Sequence, residues 1–592
     1  MRRLVAGRGF DLTLLGCAAA PAVVWAVAPG AGWMPLGLAI PPWIALALWG
    51  SRPAFRTRLD PAVALFLAAG AVSLWAAYDG AAALVKFRLI VSAVLLYYAL
   101  AYQPGDNLWT IAGALAGLGA MVSLPAVWSG VREVAGEGLG LSMASSDAYA
   151  GLMALTIPFA LAVLLEGIRL SRRVLVVLGS VTMALMLAGL WASGDQSAWL
   201  GAGVALLLMI AAATPGSDSG PTRRPRLSHT VGFLLLLGAV TVVAVAAAWA
   251  AGVRWPNVLA DTRVAERLAL DRNTIRLAGD FLLTGGGLAS FPGLYSRYVL
   301  LIPVLFTTSS HNLYLDVLTE LGAAGLVSFT TLACGSVWLL RIRSLRPASV
   351  QDPAVRLPAA ALGSVAALVV MGLIDDPLFA TQGLGFLLLP FGMAAAVVGE
   401  QGLSRAERSA APVPGLPRAM GTRCAWATAG AVLVLLLVSF HRQALSAGLA
   451  NVGSVLLARD ELRGWPTAHE NGAVPSGARV LAAELFSRAL ALDPGNVSAN
   501  YRLGLMAIDD RDYVRARNPL QTALAEDPGH RGVRKALAYD LTWLGALDEA
   551  QPLLEGISEA SQELGVYAWW WGTQGRDDLA ERAARMSELL QP

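Results

Sequence analysis

The stretch Asp-Ala-Tyr-Ala-Gly-Leu-Met-Ala-Leu-Thr-Ile-Pro-Phe-Ala-Leu-Ala-Val-Leu-Leu-Glu at residues 147–166 decides the fold class of this sequence. It is charged only at its ends, and its length matches the roughly 20 residues that cross the hydrocarbon core of a bilayer. Because lipid offers the backbone no hydrogen-bond partner, the stretch predicts a transmembrane helix. Thirteen comparable stretches lie at residues 11–28, 34–50, 61–78, 83–102, 107–128, 147–166, 174–191, 197–213, 230–251, 313–340, 357–375, 378–398 and 422–440. We therefore predict an all-α fold, with a polytopic helical membrane domain of about 12–13 transmembrane helices over residues 1–440.

The composition excludes an ordinary soluble protein. Of 592 residues, 56% are hydrophobic and 14% are charged, against roughly 25% charged residues in a typical soluble domain. The net charge is only +3, and the arginines lie between apolar stretches and not on one basic face, so we expect no nucleic-acid partner. Cys17, Cys334 and Cys424 lie in or beside apolar stretches without a Cys or His partner nearby in the sequence. We expect no disulfide framework, no metal site and no cofactor.

Arginines mark alternate connections between the apolar stretches. They are Arg52, Arg56 and Arg58; Arg169, Arg172 and Arg173; Arg223, Arg224 and Arg226; Arg341, Arg343 and Arg346; and Arg405, Arg408 and Arg418. Basic residues concentrate on the cytoplasmic side, and the N-terminus, with Arg2, Arg3 and Arg8, belongs to this set. We predict a multi-pass protein of the inner (plasma) membrane with a cytoplasmic N-terminus, a retained first span and a periplasmic or extracellular C-terminal domain.

Two long segments lie outside the predicted membrane spans. The first is an external loop at about residues 252–310, and the second is a soluble tail that begins near residue 441. In the tail, Ala-Leu-Asp-Pro-Gly at 491–495 recurs as Ala-Glu-Asp-Pro-Gly at 525–529, an offset of 34 residues. This period resembles that of a tetratricopeptide array. We predict a linker at 441–476 and a tetratricopeptide-like domain at 477–592, in which Trp569 to Trp571 cap the stack or bind a protein partner.

One motif carries candidate chemistry where the external loop enters the tenth span. It reads Ser-His-Asn-Leu-Tyr-Leu-Asp-Val-Leu-Thr-Glu-Leu-Gly-Ala-Ala-Gly-Leu at residues 310–326. If the segment is helical, His311, Leu315, Leu318 and Gly322 share one face. The pattern resembles the signature of the O-antigen ligase and Wzy-type polymerase superfamily. The matching positions are His311, Asn312, Leu315, Glu320, Gly322 and Gly325.

The resemblance extends to other segments, with departures. Arg272, followed by Gly285 to Gly287 and Phe291, is similar to the family's pattern in this loop, although Arg276 stands where a Trp is usual. Asp147 takes the place of an Asn. Gln196 stands where many members carry an arginine expected to bind the donor's diphosphate.

The resemblance implies an inverting, metal-independent glycosyltransferase of the membrane. Such enzymes transfer a polyprenyl-diphosphate-linked glycan to a lipid, glycan or protein acceptor on the non-cytoplasmic face. The implied catalytic residues are His311, Arg272 and Arg276, and the implied substrate-binding residues are Asn312, Tyr314, Glu320, Gln196, Lys86 and Arg88. His311 is suited either to accept the proton of a sugar hydroxyl or, when charged, to bind phosphate. Guanidinium groups are suited to the leaving diphosphate.

Three alternatives stay open at this point. Lys86 and Arg88, near the outer end of the fourth span, fit snorkelling to the interface or an anion site for a lipid phosphate. Asp375 and Asp376 fit a turn before a helix or part of a metal site. For the whole chain, the alternatives to a ligase or polymerase are a degenerate membrane-anchored scaffold, suggested by Gln196, and a glycolipid flippase or transporter.

Overall fold

The computed structural model describes residues 8–27, 32–49, 57–134, 143–213, 262–344, 356–399, 441–465 and 477–591. Throughout these ranges the fold is all-α, as predicted. The predicted spans 230–251 and 422–440 lie outside the described residues, as do Cys424 and the arginines at 223–226 and 405–418.

Within the described residues, eight apolar helices precede the long loop that was predicted to be external. They are α1 (Arg8–Val27), α2 (Met34–Trp49), α3 (Asp60–Ala76), α4 (Gly80–Ala101), α5 (Leu108–Val134), α6 (Met143–Arg169), α7 (Arg173–Ser193) and α8 (Gln196–Ala213). The loop contributes α9 (Thr262–Asp280), the short α10 (Phe291–Tyr295) and a π-helical turn at Ser296–Leu300. The membrane domain continues with α11 (Leu313–Ser344), α12 (Arg356–Gly372), a 3-10 turn at Gln382–Phe386 and α13 (Leu389–Val398).

Five of the described helices are long and apolar enough to cross a bilayer. They cover Gly80–Ala101, Gly105–Trp128, Asp147–Arg169, Arg173–Ser193 and Leu313–Arg341. Six shorter apolar helices cover Gly9–Trp25, Met34–Leu48, Asp60–Ala76, Gln196–Ala211, Arg356–Gly372 and Gln382–Val398. Every predicted span within the described ranges coincides with one of these helices. The prediction of a polytopic helical membrane protein is confirmed.

The helix α11 is broken at Gly322, and this break positions the rest of the loop. Gly322 has φ 70° and ψ −170°, a conformation that glycine adopts readily because it lacks a Cβ. The loop crosses α11 here: the amide of Ala323 donates to the carbonyl of Leu282 at 2.7 Å, and the amide of Gly286 donates to the carbonyl of Thr319 at 2.7 Å. The break thus leaves backbone groups of α11 without hydrogen-bond partners in the helix, and the loop forms hydrogen bonds with them.

The C-terminal domain is a stack of paired helices. They are α14 (His441–Glu461), α15 (Gly477–Leu492), α16 (Val497–Asp509), α17 (Tyr513–Glu526), α18 (Arg531–Leu544), α19 (Leu547–Leu554), α20 (Ala560–Thr573) and α21 (Asp577–Leu589). The positions repeated at an offset of 34 are buried, as the repeat prediction requires: Ala482, Ala516 and Ala550, together with Phe486, Leu520 and Leu554. Trp571 packs against Trp543 inside the stack, with ring centroids 5.8 Å apart, while capping and partner binding by the tryptophans stay predictions. Trp569 is 70% exposed.

The predicted linker at 441–476 contains the 21-residue helix α14. Small residues explain why this weakly apolar segment packs as part of the stack. The hydroxyl of Ser446 donates to the carbonyl of Ala489 at 2.9 Å, and a Cβ on Gly453 would lie 2.7 Å from the ring of Phe486. Contact with α15 therefore extends the stack N-terminally to His441.

Candidate active site at the loop–membrane boundary

His311 lies at the tip of a turn that leads into α11. Its φ is +56°, in the left-handed region that few residues other than glycine adopt. The preceding residue is fixed to the first turn of the helix, since the amide of Ser310 donates to a carboxylate oxygen of Asp316 at 2.8 Å. Because α11 begins at Leu313, after His311, and is broken at Gly322, the predicted helical face that joined these two residues does not form.

Asn312 and Tyr314 help to shape this turn. The Asn312 side chain accepts hydrogen bonds from the amides of Tyr314 and Leu315 at 3.1 and 3.3 Å, so Asn312 is the N-cap of α11. The hydroxyl of Tyr314 donates to the carbonyl of Val369 in α12 at 3.0 Å, and its ring packs edge-on against Phe329. These contacts are structural, and substrate binding by either residue stays a prediction.

The imidazole of His311 is paired with Asp375. The Nδ1 atom lies 3.0 Å from Oδ1 of Asp375, and the His311 side chain is 47% exposed. The guanidinium of Arg267, on the loop helix α9, donates to the backbone carbonyl of His311 at 3.1 Å and to that of Ile374. The hydrogen bond to Asp375 raises the pKa of His311, although burial and the positive charge of Arg267 oppose the rise. If Nδ1 donates to Asp375, Nε2 is the nitrogen that can accept a proton.

A further carboxylate, that of Asp147, lies near the imidazole. Asp147, at the start of its span, interacts electrostatically with Asp195, Asp375 and His311. Asp195 caps α8 by accepting hydrogen bonds from two backbone amides at 2.8 and 3.2 Å. The next residue, Gln196, is exposed, so the position where related proteins carry an arginine lies beside this acidic group. The segment of Asp147, which was matched to the family separately in the sequence, thus lies near His311, and the segment before Gln196 lies near Asp147.

Lys86 forms a buried ion pair on the inner side of this site. Its Nζ lies 2.7 Å from Oε2 of Glu320 and 4.0 Å from the ring centroid of Phe379. The same Glu320 oxygen accepts a hydrogen bond from the amide of Ala289 at 3.0 Å, which links α11, the loop and α4. Lys86 also acts electrostatically on Asp376. Lys86 is therefore turned towards the protein and not towards the lipid interface.

Asp376 and Asp316 form a buried carboxyl pair next to this lysine. The two carboxyl groups interact electrostatically with each other. Burial raises the pKa of Asp376 to about 6, which favours a proton shared within the pair. Asp376 also accepts a hydrogen bond from the amide of Phe379 at 2.7 Å, as expected for a turn before a helix. Among the described residues, no group of three His, Cys, Asp or Glu side chains is arranged to hold a metal ion.

The structure separates the arginines of the loop helix. Arg276 pairs with Asp527 of the repeat domain at 2.8 Å. It lies nine residues after Arg267, which places the two on opposite sides of α9 because each residue turns the helix by about 100°. Arg272 lies about 140° around the helix from Arg267 and is exposed. The cation that contacts the His311 turn is thus Arg267, while Arg276 faces the repeat domain.

Arg88 also lies apart from His311. Its guanidinium donates to the carbonyl of Gly32 at 3.0 Å and lies 4.8 Å from the ring of Trp25. Two residues along a helix are about 200° apart, so Arg88 and Lys86 face different neighbours. Binding of substrate by Arg88 stays a prediction.

Sequence reasoning missed Arg267 and the role of Asp375. Arg267 sits in a helix with three other arginines, and the register that brings it to His311 depends on how α9 packs. The only local signal for Asp375 was its place in a short external turn, 64 residues after His311. No sequence spacing connects the two, because two segments of the membrane domain bring them together.

Two family models match this chain. Residues 181–330, about a quarter of the sequence, match the model described as O-antigen ligase, and residues 507–567 match a tetratricopeptide repeat model. The first match covers the second part of α7, all of α8, the loop helix and the first half of α11, including the turn of His311. The resemblance inferred from the motifs is confirmed. No curated protein sequence matches the chain at a significant level.

Proposed function

We propose that this chain, a polytopic membrane protein with an O-antigen ligase segment and a tetratricopeptide domain, is a glycosyltransferase that uses a polyprenyl-diphosphate-linked glycan. It would act on the non-cytoplasmic face and transfer the glycan to a lipid, glycan or protein acceptor. The observation that carries this proposal is the His311–Asp375 pair, half exposed at the outer end of α11 and flanked by an arginine of the external loop.

The proposed reaction is a single displacement with inversion. The hydroxyl oxygen of the acceptor attacks the anomeric carbon of the donor, and the bond from that carbon to the diphosphate oxygen breaks. Nε2 of His311 accepts the hydroxyl proton, Asp375 stabilises the imidazolium that results, and polyprenyl diphosphate leaves with the bonding electrons. No metal ion is needed to balance this step.

Arginines of the loop helix are proposed to meet the leaving group. Arg267 is already held at the His311 turn, and Arg272 is exposed about 7.5 Å further along the same helix. Fixed guanidinium groups stabilise the charge that develops on a diphosphate as the bond breaks. We assign Arg276 a positioning role because Asp527 engages it.

The test is glycan transfer in a bacterial strain that lacks its own ligase and polymerase and accumulates the lipid-linked glycan. Replacing the general base, His311→Ala, is expected to lower the rate about 10²–10⁴-fold. Arg267→Ala and Arg272→Ala should each lower it as well. Arg488→Ala is the matched control, because Arg488 is an exposed arginine of the repeat domain that pairs with Glu484 in its own helix. Unchanged transfer in the His311 variant would overturn the proposal.

The same strain separates the competing functions. A single glycan added to each acceptor indicates a ligase, and a ladder of increasing chain length indicates a polymerase. Gln196, in place of the usual arginine, favours a degenerate scaffold as the second candidate. The scaffold predicts that deletion of the chain reduces transfer while His311→Ala does not.

A further inference from the structure

The chain's own long loop packs against one surface of the repeat domain. We name residues 276–301 the docking segment. Its Asp280 lies 2.7 Å from a guanidinium nitrogen of Arg502, whose side chain has no exposed surface. The same guanidinium lies 3.3 Å from the ring centroid of Tyr298, which is also buried. A buried arginine with its carboxylate and its aromatic partner in another domain indicates a built interface and not a passing contact.

A second set of contacts fixes the far end of the docking segment. Arg297 pairs with Glu461 at 3.0 Å and with Asp509 at 2.7 Å, both in the repeat domain. The backbone carbonyl of Leu300 accepts a hydrogen bond at 2.6 Å from Lys535, whose side chain is fully buried. Breaking a buried ion pair leaves an unpaired charge, so these contacts favour a single docked arrangement.

Apolar burial accompanies the charges. One hydrophobic cluster joins the docking segment to the repeat domain across their boundary. From the segment it includes Phe281, Phe291, Leu294, Tyr295, Tyr298 and Val299, and from the repeats Tyr501, Leu505, Val533 and Leu537. Stacked helical repeats generally offer a concave surface to other molecules. Here a tethered segment packs against the repeats at high effective concentration, so a partner protein that needs the same surface would have to displace the loop.

The docked loop contacts the turn of His311 through helix α9. Arg276 and Asp280 hold one side of α9 against the repeat domain, and Arg267 extends from the opposite side to the carbonyl of His311. We propose that the repeat domain is an intramolecular clamp that sets the loop helix against the His311 turn, with Arg502 as a positioning residue. The proposal rests on the proposed function for its effect on transfer, but docking itself can be measured without it.

Docking is tested by cross-linking in native membranes. Thr284 and Asn451 lie on either side of the boundary, with their side-chain oxygens 2.9 Å apart. In a chain whose native cysteines are replaced by serine, Thr284→Cys with Asn451→Cys should form a disulfide under mild oxidation with copper phenanthroline. The pair should then lose both thiols to maleimide labelling of the denatured chain, and reduction with dithiothreitol should restore them. Thr284→Cys with Thr573→Cys, an exposed position at the end of α20, is the control pair. Free thiols at 284 and 451 would overturn the docked arrangement.

Coupling to the site is tested with a glycine pair. A Cβ on Gly532 would overlap the carbonyl of Tyr298 in the docking segment, whereas a Cβ on Gly565, in the same domain, meets only Ser587 Oγ at 3.7 Å. We expect Gly532→Ala to lower both cross-linking and transfer, the latter by about 10–100-fold through misplacement of the site. Gly565→Ala should change neither. Both variants must keep the helical circular dichroism of the unaltered chain.

The pH profile distinguishes positioning from general damage. The imidazole of His311 faces Asp375, Asp316 and Asp147, and Arg267 is the cation that opposes their effect on its pKa. When Gly532→Ala releases Arg267 from the His311 turn, the pKa of His311 should rise. The acidic limb of the transfer–pH profile should then move to higher pH, as we also expect for Arg267→Ala. Lost cross-linking with unchanged transfer and pH profile would overturn the clamp's positioning role. Absence of transfer by the unaltered chain would instead refute the proposed function and leave the cross-linking result intact.

Discussion

Variants of the buried ion pair between Lys86 and Glu320 can distinguish a structural role of the lysine from a role in substrate binding. The side chains are 12% and 4% exposed and lie 2.7 Å apart. Replacing the lysine alone, as in Lys86→Met, leaves Glu320 charged and unpaired next to the acidic Asp376. Replacing both, as in Lys86→Met with Glu320→Gln, removes the charge from both sides. The glutamine can still accept the hydrogen bond from Ala289.

The expected magnitudes follow from burial. Removing one partner of a buried ion pair destabilises a protein by about 3–5 kcal/mol, whereas removing both is often near neutral. The two single variants should therefore be strongly destabilised and the double variant much less so, with a coupling of about 3 kcal/mol in a double-mutant cycle. The exposed pair Arg488 and Glu484 is the control, with an expected coupling of about 0.3–0.5 kcal/mol.

The assay combines unfolding of the purified protein in detergent, followed by tryptophan fluorescence, with glycan transfer in membranes. If the lysine serves only to neutralise Glu320, the double variant recovers both stability and transfer relative to Lys86→Met. Recovery of stability without recovery of transfer would show that the lysine acts on the substrate. If the double variant instead loses as much stability as the two single variants together, the assignment of a buried ion pair is refuted.

Three other predictions concern the same site. Gly285→Ala should destabilise the protein by more than about 2 kcal/mol, because φ is +72° and the new Cβ would overlap the carbonyl of Glu320. In the same unfolding assay, Gly279→Ala in α9 should stabilise the protein by about 0.5–1 kcal/mol, because its Cβ would enter open space. Asp375→Asn removes the charge that raises the pKa of His311, so the acidic limb of the transfer–pH profile should move to lower pH while the plateau falls. Gln196→Arg, at an exposed position, should lower the KM for the diphosphate donor without loss of stability, and an unchanged KM would place this residue away from the donor.

The sequence predicted the membrane fold because each span is a local property. A stretch of 20 apolar residues needs no distant partner to become a helix in lipid, and the 34-residue repeat is likewise readable from spacing alone. The break at Gly322 was not predicted, since it depends on backbone groups of residues 282–286, about 40 positions away. Helix α14 was assigned to a linker because small residues such as Ser446 and Gly453 give a weak apolar pattern, although they allow close packing.

The site was predicted in part for the same reason. The motif around His311 was readable, since its residues are adjacent in sequence and Asn312 is a typical helix cap. The imidazole's partners were not, because Asp375 and Arg267 come from segments 64 and 44 residues away. Sequence alone gave no register for α9, and so it could not decide which of the loop arginines faces the turn.

That register also explains why one helix can serve two domains. Arg267 and Arg276 are separated by about two and a half turns, which places them on opposite sides of α9. One side bonds the backbone of the His311 turn, the other bonds Asp527, and Arg272 stays exposed between them. A rigid helix held on both sides has little freedom to move away from the imidazole while the repeat domain stays docked. The contacts of the repeat domain with α9 therefore support the proposed clamp, in which this helix is held against the His311 turn.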